Sequence, residues 1–347
     1  MTVETQPQAT IDIALPEAEA VCKQALSRFI EPLAAAEEVT AQLLDAELRG
    51  KHSHGVVRIP WLKGRIGHFH HRTPQISQPL PWLHHLECRH SLGYLAAREA
   101  QQRMLRMLSD RDFAVTVCRD AFPTGVLGDY LRPLAESGQV AVGFATSPPL
   151  LSLHRDTAPT LGTNPLGVAM PATAGKPAFV ADVSPASTTF GQLLAMLSGF
   201  EGDLSDATLV TSAGKPPAAL SELFDERGSF SGGIIQSMDS AMGRRQYALI
   251  MAIELMTSLF AGKTTTGGLV LIAFDPHRLP GLHPEAATSV IERIARELDW
   301  QSIPGGHGES RRRALLDRGT LPLPEALWSR LKNLAAGDMA TATKTGI

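Results

Sequence analysis

Cysteine is scarce in this chain of 347 residues: Cys22, Cys88 and Cys118 stand far apart and form no Cys-x-x-Cys pair. That scarcity excludes a disulfide framework and a cysteine zinc site, and it fits a reducing, cytoplasmic setting. A surplus of charge of one sign is also missing. With 32 Lys and Arg against 35 Asp and Glu, nothing in the balance provides a footprint for nucleic acid or anionic lipid. Small molecules and other protein subunits are the expected partners. Long apolar runs are absent too. The most apolar stretch, Tyr247 to Phe260 (YALIMAIELMTSLF), falls short of the ~20 residues a bilayer requires and carries Glu254, so a buried helix is expected and no membrane partner. The opening MTVETQPQATIDIALP lacks a basic start followed by an apolar run, which argues against export. Gly-x-Gly-x-x-Gly occurs nowhere, so the usual dinucleotide fingerprint is excluded.

What is present is patterning. Apolar spacing is helical from Pro16 to Arg49, with Pro16 suited to a first turn and Gly50 to a stop. Tyr94 to Arg111 and Leu127 to Glu136 have the same period. Short β-branched or apolar runs mark strands at Phe113 to Cys118, Val140 to Thr146, Leu166 to Met170, Ala178 to Val183 and Leu269 to Phe274. Helices return at Glu285 to Leu298 and Pro324 to Leu334, with Arg311, Arg312 and Arg313 clustered between them. Helical ends around a β-rich middle predict a mixed α/β chain in two parts. One is helical, residues 1–90 and 284–347, with both chain ends packed together. The other is sheet-rich, residues 91–283. Ser198 to Gly233, rich in Gly, Ser and Pro, reads as a surface excursion or lid.

Several local motifs carry little. Gly262-Lys263-Thr264 resembles the end of a phosphate loop, but Thr257 stands where its first glycine belongs and the triplet follows a helix, so a helix C-cap is expected. The pairs His70-His71 and His84-His85 lack Asp, Glu or Cys partners and read as solvated loop residues, so no metal is assigned.

The stretch KHSHGVVRIP at 51–60 is richer. In a helix running from His54, that imidazole and Arg58 would share one face, within reach of one small ligand, although Pro60 restricts such a helix. A guanidinium grips a carboxylate in bidentate fashion, a histidine exchanges a proton near neutral pH, and Ser53 would orient the imidazole. On local grounds alone, Ser53 as a helix cap beside solvated His54 and Arg58 is the stronger reading.

SHGVVRIP, taken with LGTNPLGVAMP at 161–171, resembles the type-2 malate/L-lactate dehydrogenase family of NAD(P)-dependent oxidoreductases. GVLGDYLRPLAESG at 125–138, YALIMAIELMTSLFAG at 247–262 and the closing RRRALLDRGTLPLPEALWSRL follow in the family's order. The resemblance implies a non-Rossmann nucleotide-binding sheet domain, flanked by a helical domain that binds substrate and forms a homodimer. It implies His54 as proton donor, Ser53 as its relay partner, and Arg58 and Thr163 as substrate contacts.

On the cofactor side the chain departs from the pattern. Asp120-Ala121-Phe122-Pro123-Thr124-Gly125 replaces Asn-Ser-x-His-Phe-Gly. Pro185 interrupts the segment carrying Asp182, Ser184 and Ser187; Arg244 and Arg245 stand where His-Lys is usual; and Gln192 replaces an acid. Thr124, Gly125, Asp182, Ser184, Arg244 and Arg245 are therefore the expected holders of NADH or NADPH. The expected reaction moves a hydride to or from C2 of a small 2-oxo, 2-hydroxy or cyclic 2-imino acid. A second reading keeps the acid–base histidine and the carboxylate clamp but loses the nicotinamide, leaving tautomerisation, cyclisation, elimination or decarboxylation.

Overall fold

Pro32 divides the first helical stretch. Lacking an N–H and restricting the residue before it, it ends one helix and opens another. The helical spacing over 16–49 therefore resolves into α1 (Leu15–Ser27) and α2 (Leu33–Leu48), separated by the short strand β2 (Ile30–Glu31) and preceded by β1 (Thr10–Ala14). The computed structural model describes residues 9–154, 157–171, 176–205, 207–225, 230–235 and 240–338. After α2 come α3 (Arg58–Ile66), β3 (Phe69–His70), β4 (Gln75–Leu80), β5 (Leu83–Glu87), α4 (Gly93–Leu108), β6 (Phe113–Arg119) and α5 (Gly128–Glu136). The middle continues with β7 (Val140–Ala145), β8 (Leu151–Ser152), β9 (Leu166–Met170), β10 (Phe179–Val183), α6 (Phe190–Leu197), β11 (Thr208–Val210) and β12 (Gly233–Ile235). The chain closes with α7 (Ala241–Ala261), β13 (Gly268–Phe274), α8 (Pro284–Glu297), α9 (Gly306–Arg318), β14 (Thr320–Pro324) and α10 (Glu325–Ala336).

Seven strands form a mixed central sheet in the order β10-β9-β7-β13-β6-β5-β4, in which β5–β6 is the parallel pair and the other pairings are antiparallel. The period-2 alternation of strands assigns its two faces. Ala114 and Cys118 of β6, with Leu269, Leu271 and Ala273 of β13, join the core under α4 and α5. Val115, Val117 and Val270 point the other way, onto Ile253 and Ala261 of α7. Both faces of these central strands are covered, which is why they read as continuous apolar runs. At the chain ends, β1 pairs antiparallel with β14 and α1 packs on α10, so the two termini share one core.

The structure corrects several expectations. Residues 75–87, from the segment expected to be helical, supply β4 and β5, the edge of the central sheet. His84 and His85 consequently lie on a strand, half-buried, and not in a solvated loop. The excursion at 198–233 is not merely superficial: β11 and β12 join β8 in a small sheet, and Phe200, Leu209, Leu220 and Leu223 are buried in the main core. Residues 206 and 226–229 of that segment lie outside the described residues. Arg311, Arg312 and Arg313 sit on α9, whose strong polarity hid its helical period. α7 is a helix, capped as expected at Gly262, but it is not buried all round: Leu255 is 62% and Leu259 76% exposed.

Candidate active site

A buried carboxylate shapes the turn between α2 and α3. Glu47, fully buried in the last turn of α2, accepts a hydrogen bond from the Val56 amide at 3.0 Å and pairs closely with His52 Nδ1. A Cβ at position 55 would lie 1.9 Å from Glu47 Oε2, so only glycine lets the chain pass so close. The His52 ring stacks on Phe200 with centroids 4.2 Å apart. Residues His52–His54 form a 3-10 turn, Gly55 is extended, and α3 begins at Arg58. His54 and Arg58 therefore do not share a continuous helix face, contrary to expectation. Pro60 falls in the first turn of α3, where no amide is required.

Neither polar residue of the turn behaves as a surface cap. Ser53 Oγ meets His54 Nδ1 at 2.9 Å, and the Ser53 carbonyl accepts from Arg58 Nε at 2.7 Å. Arg58 is 7% exposed, its guanidinium carbon 4.9 Å from the Trp61 ring centroid and 5.3 Å from that of Phe190. Among the described residues no carboxylate pairs with it. Burial pushes its pKa down, and nearby Tyr94 opposes the shift. The N-terminus of α6 closes this side: a Cβ at Gly191 would lie 2.4 Å from Arg58 Nη2 and 2.6 Å from the Ser53 carbonyl oxygen.

Ser53, His54, Arg58 and Thr163 line one cavity of about 310 Å³, together with Thr124, Gly125, Asp182 and Ser184. Thr163 is fixed at both ends of its peptide unit: its amide donates to Ser147 Oγ at 3.2 Å, and its carbonyl accepts from Ser184 Oγ at 2.5 Å. Next to it, the buried Asn164 amide donates to Glu254 Oε2 on α7 at 2.7 Å. The Thr124 carbonyl accepts from the Tyr130 hydroxyl at 2.5 Å. Gly125 has φ +74°, and a Cβ there would come 2.6 Å from the Tyr94 ring. Asp182 is engaged in the fold: it accepts from the Gly128 amide at 3.0 Å, at the start of α5, and Lys51 Nζ lies 3.7 Å from the same carboxylate oxygen. Arg244 and Arg245 stand exposed on the first turn of α7, outside this cavity wall.

Lys51, Tyr94, Phe190 and Gly191 also line the cavity, and sequence reasoning missed them as site residues. Lys51 stood within the quoted stretch and was legible. Nothing local to Phe190 or Gly191 signals that α6 abuts the arginine.

Burial, then the charges of Arg58 and Lys51, push His54 well below the usual histidine range. Burial pushes the Tyr94 phenol up to about 12. At neutral pH both are uncharged, and the wall carries Lys51, Arg58 and Asp182, a formal sum of one positive charge.

A larger cavity of about 790 Å³ lies between α2, α5 and α9. There Asp45 holds Arg49 at 2.6 Å and Arg312 at 2.8 Å, Glu309 holds Arg49 at 2.8 Å, and Glu38 holds Arg98 at 2.8 Å. Its cations are thus already answered, so charge distinguishes the smaller cavity where size does not. Among the described residues no three His, Cys, Asp or Glu side chains converge as metal ligands, and no helix is long and apolar enough to cross a membrane.

Among the described residues, a buried guanidinium without a carboxylate partner thus shares one cavity with a serine-bonded histidine. The comparisons with known proteins give the chain its family. The profile described as malate/L-lactate dehydrogenase matches residues 13–332, and the chain belongs to that family of oxidoreductases. The (2R)-3-sulfolactate dehydrogenase (NADP(+)) of Chromohalobacter salexigens is 25% identical, over 93% of this chain and 98% of its own. The Δ1-pyrroline-2-carboxylate/Δ1-piperideine-2-carboxylate reductase of Pseudomonas syringae pv. tomato is 22% identical over 86% and 89%. In fold, the chain is similar to malate dehydrogenase from Entamoeba histolytica, with a TM-score of 0.77 at 18% identity, covering 95% of this chain and 98% of that one.

Proposed function

We propose that the protein uses NADH or NADPH to move a hydride to or from C2 of a small 2-oxo, 2-hydroxy or cyclic 2-imino carboxylate. One observation carries this reading: Arg58 is buried, has no carboxylate partner among the described residues and lines the cavity that also holds His54. A buried charge without a partner is costly, and a substrate carboxylate would neutralise it through a bidentate contact. Thr163, held at both ends of its peptide unit, adds a hydroxyl beside that anchor. With Nδ1 engaged by Ser53, Nε2 of His54 is the nitrogen left to exchange a proton with the substrate.

In reduction, C2 gains the hydride while protonated His54 gives its proton to the substrate oxygen or nitrogen. In oxidation, neutral His54 takes that proton back. Burial first, then Arg58, lowers the proton affinity of His54 in the free site, so a carboxylate on Arg58 offsets the second of these causes and raises that affinity. The acid therefore favours protonation of its own proton donor.

The rest of the wall fits a nicotinamide ring and its carboxamide. Thr124 offers a hydroxyl, Gly125 lets the backbone pass close to Tyr94, and Ser184 and the Asp182 carboxylate, both engaged within the protein, stiffen the wall. A bound nicotinamide would supply the hydride equivalent; Arg244 and Arg245 would serve its phosphate groups outside this cavity. The segment 1–90 contributes the substrate anchor and segment 91–283 the cofactor wall. For the homodimer of a cytoplasmic enzyme, the exposed apolar side of α7, where Leu255 and Leu259 stand, is the surface we assign, in the sheet-rich segment and not in the helical segment expected to dimerise.

His54→Gln tests the reading. It is expected to lower kcat for keto or imino acid reduction at least 100-fold while NAD(P)H binding stays within threefold of wild type. Undiminished reduction of every tested acid would overturn the assigned role.

A further inference from the structure

We infer that the substrate is a monocarboxylate whose body beyond C2 is apolar, branched or cyclic, and that the site disfavours dianions such as oxaloacetate or sulfopyruvate. This rests on the reading of Arg58 as the carboxylate anchor. The first argument is charge. Of the two cations on the wall, Lys51 is answered by Asp182, both through the carboxylate at 3.7 Å and through its carbonyl at 3.3 Å. Arg58 alone is unanswered, so one carboxylate brings the wall to neutrality, and a second anion would enter without a partner.

The second argument is what surrounds the anchor. Trp61 contacts Arg58 and gathers two wall residues about it, with ring centroids 5.4 Å from Phe190 and 6.2 Å from Phe122. Leu150 and Val126 extend the apolar lining. The Ser184 hydroxyl donates to the Thr163 carbonyl and accepts from the Ala186 amide, and the Ser147 and Thr146 hydroxyl oxygens are tied to backbone by accepting from the Thr163 amide and, at 2.9 Å, the Gly268 amide. A carboxylate seated on Arg58 thus carries the rest of the molecule along rings. A second carboxylate or sulfonate against Phe122 or Phe190 would be desolvated without compensation, whereas a branched or cyclic hydrocarbon body would bury its surface there.

Calorimetric binding to the full-length protein tests this, with phenylpyruvate, 4-methyl-2-oxopentanoate and Δ1-piperideine-2-carboxylate set against oxaloacetate and sulfopyruvate. The apolar acids are expected to bind at least tenfold tighter than either dianion. Phe122→Arg, which places a second cation on the wall, is expected to shift that ratio at least tenfold towards the dianions. Leu150→Arg is the parallel variant should Phe122→Arg not fold. Dianions binding as tightly as the apolar acids, no shift in either folded variant, or no acid binding at all would overturn the inference. Because binding is read and not turnover, selective binding of apolar acids without NAD(P)H oxidation would overturn the redox reading and leave this one standing.

Discussion

Arg58 holds its place through contacts that are steric as much as electrostatic. Its Nε is tied to the Ser53 carbonyl, its plane is bracketed by Trp61 and Phe190, and Gly191 leaves room for Nη2. Lysine would keep the charge but lose the planar fork. Arg58→Lys should therefore raise KM for the acid roughly 10- to 100-fold, the loss of about 1.5–3 kcal/mol that a charge-assisted contact supplies, and kcat should change less. A purely structural role would instead lower folded yield with KM intact. The linked proton gives a second prediction. Near neutral pH the free enzyme holds His54 unprotonated, so binding a carboxylate beside Arg58 should take up a proton, and the uptake should shrink as pH falls through the free-enzyme pKa. Calorimetry in buffers of different ionisation enthalpy reads this directly; acid binding with no proton uptake in the wild-type protein would contradict it. Ser53, His54 and Arg58 were legible from sequence because the chemistry sits within six consecutive residues. Gly191, more than a hundred residues onward, was not, because its value lies in the Cβ it lacks against a side chain the local sequence does not predict.

At the scale of elements, α5 ties the fold to the site. Its start is capped by Asp182 from β10, and the loop before it carries Thr124 and Gly125. The second residue of α5, Asp129, is buried, and burial followed by the nearby Asp45 pushes its pKa from 3.8 up to about 7. The folded state therefore holds a proton that the unfolded chain releases between those values, so this group's contribution to stability declines as pH rises from about 4 to about 7. Asp129→Asn should raise Tm by about 2–4 °C at pH 8 and by less at pH 5. An equal change at both pH values would contradict the assignment. Most helices and the strands β6, β7, β9, β10 and β13 were visible in the apolar period, whereas the short strands β1, β8, β11, β12 and β14 and the helix α6 gave too few residues for a period to show. Masked for other reasons were β4 and β5, whose histidines and prolines hide alternation; α9, which is too polar to show a stripe; and the break at Pro32, where helical spacing continues across an interruption of the backbone.

For the whole molecule, α7 was the largest misreading, because an apolar sequence says only that surface prefers to leave water and not which chain covers it. With Leu255 and Leu259 outward, the isolated chain leaves an apolar patch of the kind that marks an interface. Leu255→Glu with Leu259→Glu should convert a dimer to a monomer in light scattering; a wild-type monomer would contradict the proposed homodimer. Asn164, next to Thr163 in the chain and 90 residues before Glu254, bonds that α7 side chain and so links this helix to the cavity wall. The measurement that tests the account most directly is equilibrium binding of NADH and NADPH to the purified protein, alone and with an apolar 2-oxo acid, in wild type and in Arg58→Met. Micromolar binding of at least one nucleotide is expected in both proteins, and tight acid binding in wild type alone. A folded protein that binds the acid through Arg58 but neither nucleotide would contradict it.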